Sequence, residues 1–466
     1  MERTLGAATE WAKAEFGDAE LGDIRRNRRL VQLAAALAEK PCGALPGVLP
    51  SWAELKAAYR FFSQEDSTYE RIASPHWQRT RDACRNRGEY LLVEDTTSLN
   101  YTKHVAAEGL GWLGDGVGRG IYLHSTLALH VERWCSDGTP EVTAVGLFAQ
   151  RRWTRREPPK TAHETRAERL KRERESERWG AVFDETGGPP PGVRWTYIAD
   201  RESDIYRALV RLTGRDVDFI VRANQRRSLE GDNRSVFDAV ASRRVLGRFS
   251  IDLRARPGVK ARTAKVSVRA TSVTLRPPRR GCRRLASLAV NVVEAREVRA
   301  PAGVEPVHWV LLTSWPVETF EDAMRVVKSY EKRWLIEEYH KALKTGAGAE
   351  KSQLSKLERL EALLGILVVV AVRLLNMKLL AASRPDDAVP AGSLGREAFS
   401  ILEAVCGRPP KGWTNRSALV AVARMGGFLA RKRDGDPGWL TIWRGWQRLM
   451  LMVEGFSLAM GQGGCG

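Results

Sequence analysis

The chain predicts an α/β protein: a mixed sheet with an inserted β-subdomain, flanked by helical domains at both ends. Three observations carry this. Two short apolar runs, Tyr90-Leu91-Leu92-Val93 and Trp195-Thr196-Tyr197-Ile198-Ala199, look like buried strands, and each ends in acidic residues, Glu94-Asp95 and Asp200-Arg201-Glu202. Residues 241–300 alternate apolar and polar side chains, as in Lys265-Val266-Ser267-Val268-Arg269, which is strand periodicity. The first 80 residues and the chain past Gly348 have helical spacing instead.

Taken in order, Asp23 can cap a helix through Leu30, Leu33 and Leu37 that stops before Pro41. Ser51-Trp52-Ala53-Glu54 is a capping box for a second helix, with Leu55, Tyr59 and Phe62 on its apolar face. Ser74-Pro75 predicts the start of a third, with proline in the first turn. Tyr122–Leu129 and Val142–Leu147 predict the strands after Asp95, and a polar helix is expected at about 160–180. Asp218–Arg222 predicts the last strand before the insertion, and His308–Thr313 returns the chain to the sheet. A long helix spans Leu357 to Leu380, and Ser383 to Leu394 is a linker. The expected domains are 1–72, 73–375 with an insertion at about 225–308, and 376–466.

Composition narrows the function. Hydrophobic content of 43% and charged content of 28% are those of a globular protein with a full core. A net charge of +19 points to a polyanionic partner. Residues 241–300 supply +13 of it, with 16 Lys/Arg against 3 Asp/Glu. A β-face that contacts phosphates is the natural reading. Residues 1–80 balance 11 Lys/Arg against 11 Asp/Glu, so charge alone does not make them a DNA-binding domain. The longest apolar run, Ala362 to Val372, is broken by Gly365 and is too short to span a membrane. Met1-Glu2-Arg3 is followed by no apolar signal region, so a cytoplasmic protein with no membrane partner is expected. Six scattered cysteines without C-x2-C spacing predict free thiols, not zinc or redox motifs.

The most informative stretch is Tyr330 to Lys344, which predicts one helix. Tyr330, Arg333, Glu337 and Lys344 lie at offsets 0, 3, 7 and 14, within a wedge of about 60° at about 100° per residue. One carboxylate between two cations suits phosphate chemistry: the acid can hold a divalent metal while the cations hold a DNA backbone. The alternative is a solvated helix face, just as each strand-tip aspartate alone suits a turn or cap. Two strand-end aspartates followed by one helical glutamate are the metal-site plan of a ribonuclease-H-like nuclease.

At this point the chain resembles a family. Y-x2-R-x3-E-x6-K, carried by Tyr330, Arg333, Glu337 and Lys344, is a signature of bacterial insertion-sequence transposases with a DDE triad. The likeness is closest to the transposon five group. Further matching blocks are Leu21-Gly22-Asp23 with Arg25-Arg26, Ala58-Tyr59-Arg60-Phe61, Glu94-Asp95-Thr96-Thr97-Ser98-Leu99 and Asp200-Arg201-Glu202. Later come Trp334 with Ile336-Glu337-Glu338, Lys344-Thr345-Gly346-Ala347-Gly348-Ala349-Glu350, Ala371-Val372-Arg373-Leu374-Leu375 and Gly426-Gly427-Phe428. The resemblance implies cut-and-paste DNA transposition in a bacterial, nucleoid-associated setting. Asp95, Asp200 and Glu337 would be catalytic and hold two Mg2+ or Mn2+ ions. The resemblance further implies a freed 3′ hydroxyl, a hairpin intermediate and integration into target DNA. Tyr330, Arg333 and Lys344 would grip phosphates. Arg222 would contact DNA, and Trp309 would stack on a flipped base, with a core tryptophan as the alternative for Trp309. The N-terminal domain, with Arg25 and Arg26, would bind double-stranded transposon ends. The C-terminal helices around Trp439, Trp443 and Trp446 would pair a homodimer, or would form a local core. Other functions left open are a non-catalytic DNA-binding regulator and a host ribonuclease-H-like nuclease.

Overall fold

Capping residues open the first helices where their spacing predicts. In the computed structural model, which describes residues 8–41, 44–49, 51–114, 116–156, 175–253, 261–278, 285–389, 393–431 and 434–460, α1 spans Ala8–Phe16 and α2 spans Ile24–Glu39. Asp23 caps α2, its carboxylate accepting from the Arg25 N–H at 2.8 Å. Ser51 caps α3 (Trp52–Phe61), accepting from the Glu54 N–H at 3.2 Å. Trp11, Phe16, Leu30, Leu33, Leu37 and Phe61 close the core of this bundle.

The next helix begins earlier than Ser74-Pro75. Thr68 caps α4 (Tyr69–Ala83), and Pro75 lies inside it. Proline lacks the N–H that would reach the Arg71 carbonyl. The Ser74 hydroxyl donates there at 3.4 Å instead, so the helix continues.

Strands β1 (Gly88–Asn100), β3 (Arg119–Trp134), β4 (Pro140–Trp153), β5 (Val193–Ala199) and β6 (Asp218–Arg222) follow, with the two-residue β2 (Gly111–Trp112) on the start of β3. Their lateral order is β4-β3-β1-β5-β6. β3 is antiparallel to its neighbours, while β1, β5 and β6 are parallel. Two short helices, α5 (Val182–Thr186) and α6 (Tyr206–Thr213), flank β5 in the chain. Of the polar helix expected at about 160–180, residues 157–174 lie outside the described residues, and Glu175–Arg178 form a 3-10 turn.

The insertion supplies β7 (Ser228–Leu229), β8 (Asp232–Ser235), α7 (Val236–Ala241), β9 (Gly247–Leu253), β10 (Arg262–Leu275) and β11 (Leu288–Glu297). It does not stand apart as a separate sheet. β12 (His308–Thr313) pairs antiparallel with β6 on one side and β11 on the other, so all 12 strands form one mixed sheet. The expected one-sided arginines are also partly neutralised: Arg262 pairs with Glu297, and Arg269 with Glu294 at 2.8 Å.

Both faces of the central strands β1, β5, β6 and β12 are covered. Leu91, Val93, Ile198, Ile220 and Leu311 lie under α8 (Phe320–Glu331), α9 (Trp334–Lys341) and α10 (Leu357–Ser383). Leu92, Tyr197, Phe219, Val221 and Leu312 lie on the opposite side with α5, α6 and α7. This period-2 split is what a strand buried on both faces requires. By length and composition α10 could cross a membrane, which corrects the reading from its apolar run alone. However, 83% of its most apolar window is buried inside the protein, as in a core helix.

Helices α11 (Arg396–Cys406), α12 (Asn415–Met425) and α13 (Trp439–Ala459) end the chain. Among the described cysteines, Cys84, Cys135 and Cys406 are free, as expected; Cys42, Cys282 and Cys465 lie outside the described residues.

Candidate active site

Asp95 does not end its strand. It lies within β1, opposite Ser125 of β3. The last β1–β5 rung is Glu94 with Ala199, so Asp95 stands where the parallel pairing stops and β1 continues on β3 alone. Its side chain continues the Leu91–Val93 row, on the face covered by α9 and α10. The Thr96 N–H donates to Asp95 Oδ1 at 2.8 Å.

Asp200 directly follows β5. It caps a 3-10 turn, Arg201–Ser203, and accepts from the Glu202 N–H at 2.8 Å. The cap role weighed from sequence is therefore real, and it coexists with a place beside Asp95.

The stretch from Tyr330 to Lys344 is not one regular helix. α8 ends at Glu331, and Lys332 and Arg333 make turns with i→i+3 bonds, the Arg333 N–H to the Tyr330 carbonyl at 3.0 Å. α9 then carries Glu337, and Ala342–Gly346 widen into a π-helix that holds Lys344. Lys344 is therefore out of phase with the single α-helical face. α9 is fastened by Ile336 and Tyr339, both fully buried. The side-chain amide of Gln150 on β4 donates to the Tyr339 hydroxyl at 3.1 Å and to Ser125, the cross-strand partner of Asp95, at 2.9 Å.

Arg333 stands between two of the carboxylates. Its guanidinium is 2.5 Å from Glu337 Oε1 and 3.9 Å from Asp95 Oδ2. Burial pushes the Asp95 carboxyl up to about 6; the Thr96 N–H and Arg333 pull it back, while Asp200 and Glu337 push it further up. Those four groups therefore share one electrostatic neighbourhood. Among the described residues, no three His, Cys, Asp or Glu side chains stand close enough together to hold a metal ion as placed. Arg333 occupies part of the role a cation would have, and this departs from the expectation that it serves phosphates alone.

The other expected contacts are spread around this centre. Tyr330 is buried, its ring 5.6 Å from Trp309 in an edge-to-face contact. Trp309 is half-buried at the rim of the core, so neither the core nor the open reading of it is complete. Arg222 faces Leu311 across β6–β12 and donates to the His308 carbonyl at 3.1 Å. Trp334 is 47% exposed and is not a core residue. Arg25 is exposed but paired with Asp23 at 2.8 Å. Arg26 braces the N-terminal bundle through Asp66 at 2.6 Å and the Leu21 carbonyl at 2.9 Å. Arg26 is thus tied to its own fold.

Several polar groups at the site escaped sequence reasoning. Glu94 is fully buried on the face opposite Asp95 and accepts from Thr126, Tyr197 and the Gly180 N–H. Burial acts to raise its carboxyl, but His124, Tyr197 and Gly180 outweigh it and hold it below the usual range. A carboxylate in an otherwise apolar strand was the available signal. His340, three residues past Glu337, is buried, and burial followed by Lys344 pushes its imidazole down to about 3.

Known families match both ends of the chain. Residues 8–67 match the family described as Transposase DNA-binding, and residues 405–466 match the Transposase Tn5 dimerisation domain. A mixed α/β body between a DNA-binding end and a dimerisation end defines a DNA-cleaving and DNA-transferring protein that works as a pair. The two matches support a Tn5-like transposase, with DNA as partner and a homodimer as its assembly.

Proposed function

We propose that the chain is a metal-dependent cut-and-paste transposase whose central fold is ribonuclease-H-like and whose active site is Asp95, Asp200 and Glu337. One observation carries the site: Arg333 lies 3.9 Å from Asp95 and 2.5 Å from Glu337, and Asp200 directly follows Ala199, the partner of Glu94 in the last β1–β5 rung, so the three acids arrive at one place from separate elements. The strand order, with one antiparallel neighbour of β1 followed by three parallel strands, supports the fold.

The donor set is all carboxylate oxygen, which suits Mg2+ or Mn2+. Burial is the main cause that pushes the Asp95 carboxyl up to about 6, and Asp200 and Glu337 add to it, so a bound cation would favour the charged form. Asp95, Asp200 and Glu337 would hold the metal, which when bound activates water and stabilises the leaving oxygen. Arg333 would then turn from Glu337 to a DNA phosphate, where its fork can bind in bidentate fashion. Tyr330 and Arg222 border the same side. Lys344 is half-buried and has no acid paired with it among the described residues, so it is available to phosphate. Trp309, backed by Tyr330, offers a ring for an unstacked base at a hairpin end.

For the tryptophans of the C-terminal helices the local-core alternative fits better than a homodimer contact. Trp439, Trp443 and Trp446 are buried within their own chain. Past Leu449, α13 turns outward, with Leu451, Met452, Phe456, Leu458 and Met460 exposed. The row Met452, Phe456 and Met460 lies inside the dimerisation match and would pack against a second copy of itself.

The test uses a duplex carrying the inverted repeat next to the gene. Asp95→Ala, Asp200→Ala and Glu337→Ala should each abolish Mg2+-dependent nicking and leave binding of that duplex intact. Wild-type nicking by any one of them overturns the assignment.

A further inference from the structure

Asp200 leaves the sheet ladder one residue after its last rung, so backbone pairing with β1 does not fix it. Its turn is held by side chains instead. Ser203, the last residue of that turn, exchanges a hydrogen bond with the Tyr197 hydroxyl at 3.1 Å, and Tyr197 donates to Glu94 Oε2 at 2.6 Å. Glu94 immediately precedes Asp95. Its other oxygen accepts from Thr126 at 2.9 Å and lies 3.4 Å from His124 Nε2. His124 Nδ1 bonds the Thr96 hydroxyl at 2.8 Å, on the far side of Asp95. A buried hydrogen-bonded chain thus runs from Glu94, beside Asp95, beneath the sheet to the turn that carries Asp200, and Thr96, on the other side of Asp95, joins it through His124, which stands at ion-pair distance from Glu94. A second anchor completes it: Asp204 accepts from the Asn224 and Gln225 N–H groups, each at 2.7 Å, and pairs with Arg227.

We infer that Glu94, Tyr197 and Ser203 are positioning residues that set the separation of Asp95 and Asp200 for a divalent cation. The inference rests on the proposed metal site. A buried carboxylate is a costly way to hold a sheet together, and apolar packing of similar volume does that as well or better. What it adds is direction. Each oxygen accepts from fixed donors, so β1, β3, β5 and the Asp200 turn keep one relative placement. Groups that orient metal ligands in this way influence metal affinity roughly 10- to 100-fold.

Tyr197→Phe and Ser203→Ala remove the hydroxyls at the centre of the chain and keep its packing. Each should raise the Mg2+ concentration for half-maximal nicking by roughly tenfold, with affinity for the inverted-repeat duplex unchanged, and with a metal-free melting temperature that falls more for Tyr197→Phe, which loses the bond to Glu94, than for Ser203→Ala. The double variant should be no worse than the poorer single one, because both cut the same chain. An unchanged Mg2+ requirement in both single variants, or fully multiplicative effects in the double, overturns the positioning role. Loss of nicking that follows a fallen melting temperature, with the Mg2+ requirement unmoved, overturns it as well. Asp95→Ala, run in parallel, separates the two ideas. If it nicks normally, the metal-site reading itself fails. If it is inactive while Tyr197→Phe keeps the wild-type Mg2+ requirement, only the positioning role fails.

Discussion

The indole N–H of Trp439 donates to Glu338 Oε2 at 2.8 Å, joining the C-terminal helix α13 to the residue beside Glu337. Glu338 also pairs with Lys378 of α10 and with Lys341. One carboxylate therefore binds the helix that carries Glu337 to the core helix and to the C-terminal end. Trp439→Phe keeps the ring but deletes the donor. It should cost about 1–2 kcal/mol, because the carboxylate keeps its two lysines. Urea unfolding at pH 7 measures this; a change below a few tenths of a kcal/mol would mean that the bond is not formed in solution.

The same carboxylate sets an acid limit. Burial acts to raise it, but Lys378 and Lys341 outweigh that and pull it down to about 2, from 4.5. A folded value below the unfolded one contributes stability that is complete above about pH 4.5 and is lost as pH falls toward 2. Glu338→Gln should therefore be less stable than wild type at pH 7, on the order of 2 kcal/mol. The gap should narrow as pH falls below 4.5; a gap constant with pH would exclude this linkage.

Glu361 on α10 predicts the opposite trend. Burial pushes its carboxyl up to about 7 against the pull of Arg152, with Glu70 and Glu358 pushing it further up. A folded value above the unfolded one contributes stability present below about pH 4.5 and lost as pH rises through 7. Relative to wild type, Glu361→Gln should gain roughly 2 kcal/mol between pH 5 and pH 8. Urea unfolding at both values gives the sign directly, and a variant that loses ground at pH 8 would refute it.

How much of this was legible in the sequence depended on how local each cause was. β6 and β12 fall at their expected residues because short apolar runs between polar breaks admit few alternatives. The turn at Lys332 and Arg333 was hidden, since no glycine or proline marks it and the flanking residues are good helix formers. Pro75 misled because Thr68, a cap about two turns earlier, had already opened the helix. Asp95, Asp200 and Glu337 were legible as residue types in order. The Glu94–Tyr197–Ser203 chain was not, because it joins residues far apart in sequence through side chains alone.

Arginines in the insertion fall into two groups. Arg248, Ser267, Arg296 and His308 lie opposite one another across β9, β10, β11 and β12, so they share one face. Arg248 and Arg296 are exposed, with no acid paired to them among the described residues. Arg262, by contrast, is committed to Glu297; Arg254 and Arg256 lie outside the described residues. Arg248→Ser and Arg296→Ser should each flatten the slope of log affinity against log salt by about 0.9, one phosphate apiece. Arg262→Ser should instead lower stability, because it leaves the buried Glu297 carboxylate without its cation. Equal slopes for the wild type and the Arg248/Arg296 double variant would remove this face from the DNA contact.

The outward half of α13 offers the sharpest test of assembly. Met452, Phe456 and Met460 recur at i, i+4 and i+8, so they form one apolar stripe, while Leu451 and Leu458, seven residues apart, form a second row on the other side of the helix. Burying such a stripe against its copy removes Met452, Phe456 and Met460 from water at each side of the contact, at roughly 25 cal/mol per Å2. Phe456→Glu and Met452→Glu put charges into that contact but touch no packed core, so each chain should fold and bind single transposon ends normally. Paired-end complexes, followed by gel mobility and light scattering, should fall at least tenfold. Trp443→Ala is the contrasting change. Its side chain fills the space between α11, α12 and α13, so its loss should destabilise the C-terminal helices by about 3–5 kcal/mol. If Phe456→Glu pairs two ends as well as wild type does, the dimer contact lies elsewhere in residues 405–466 or outside them.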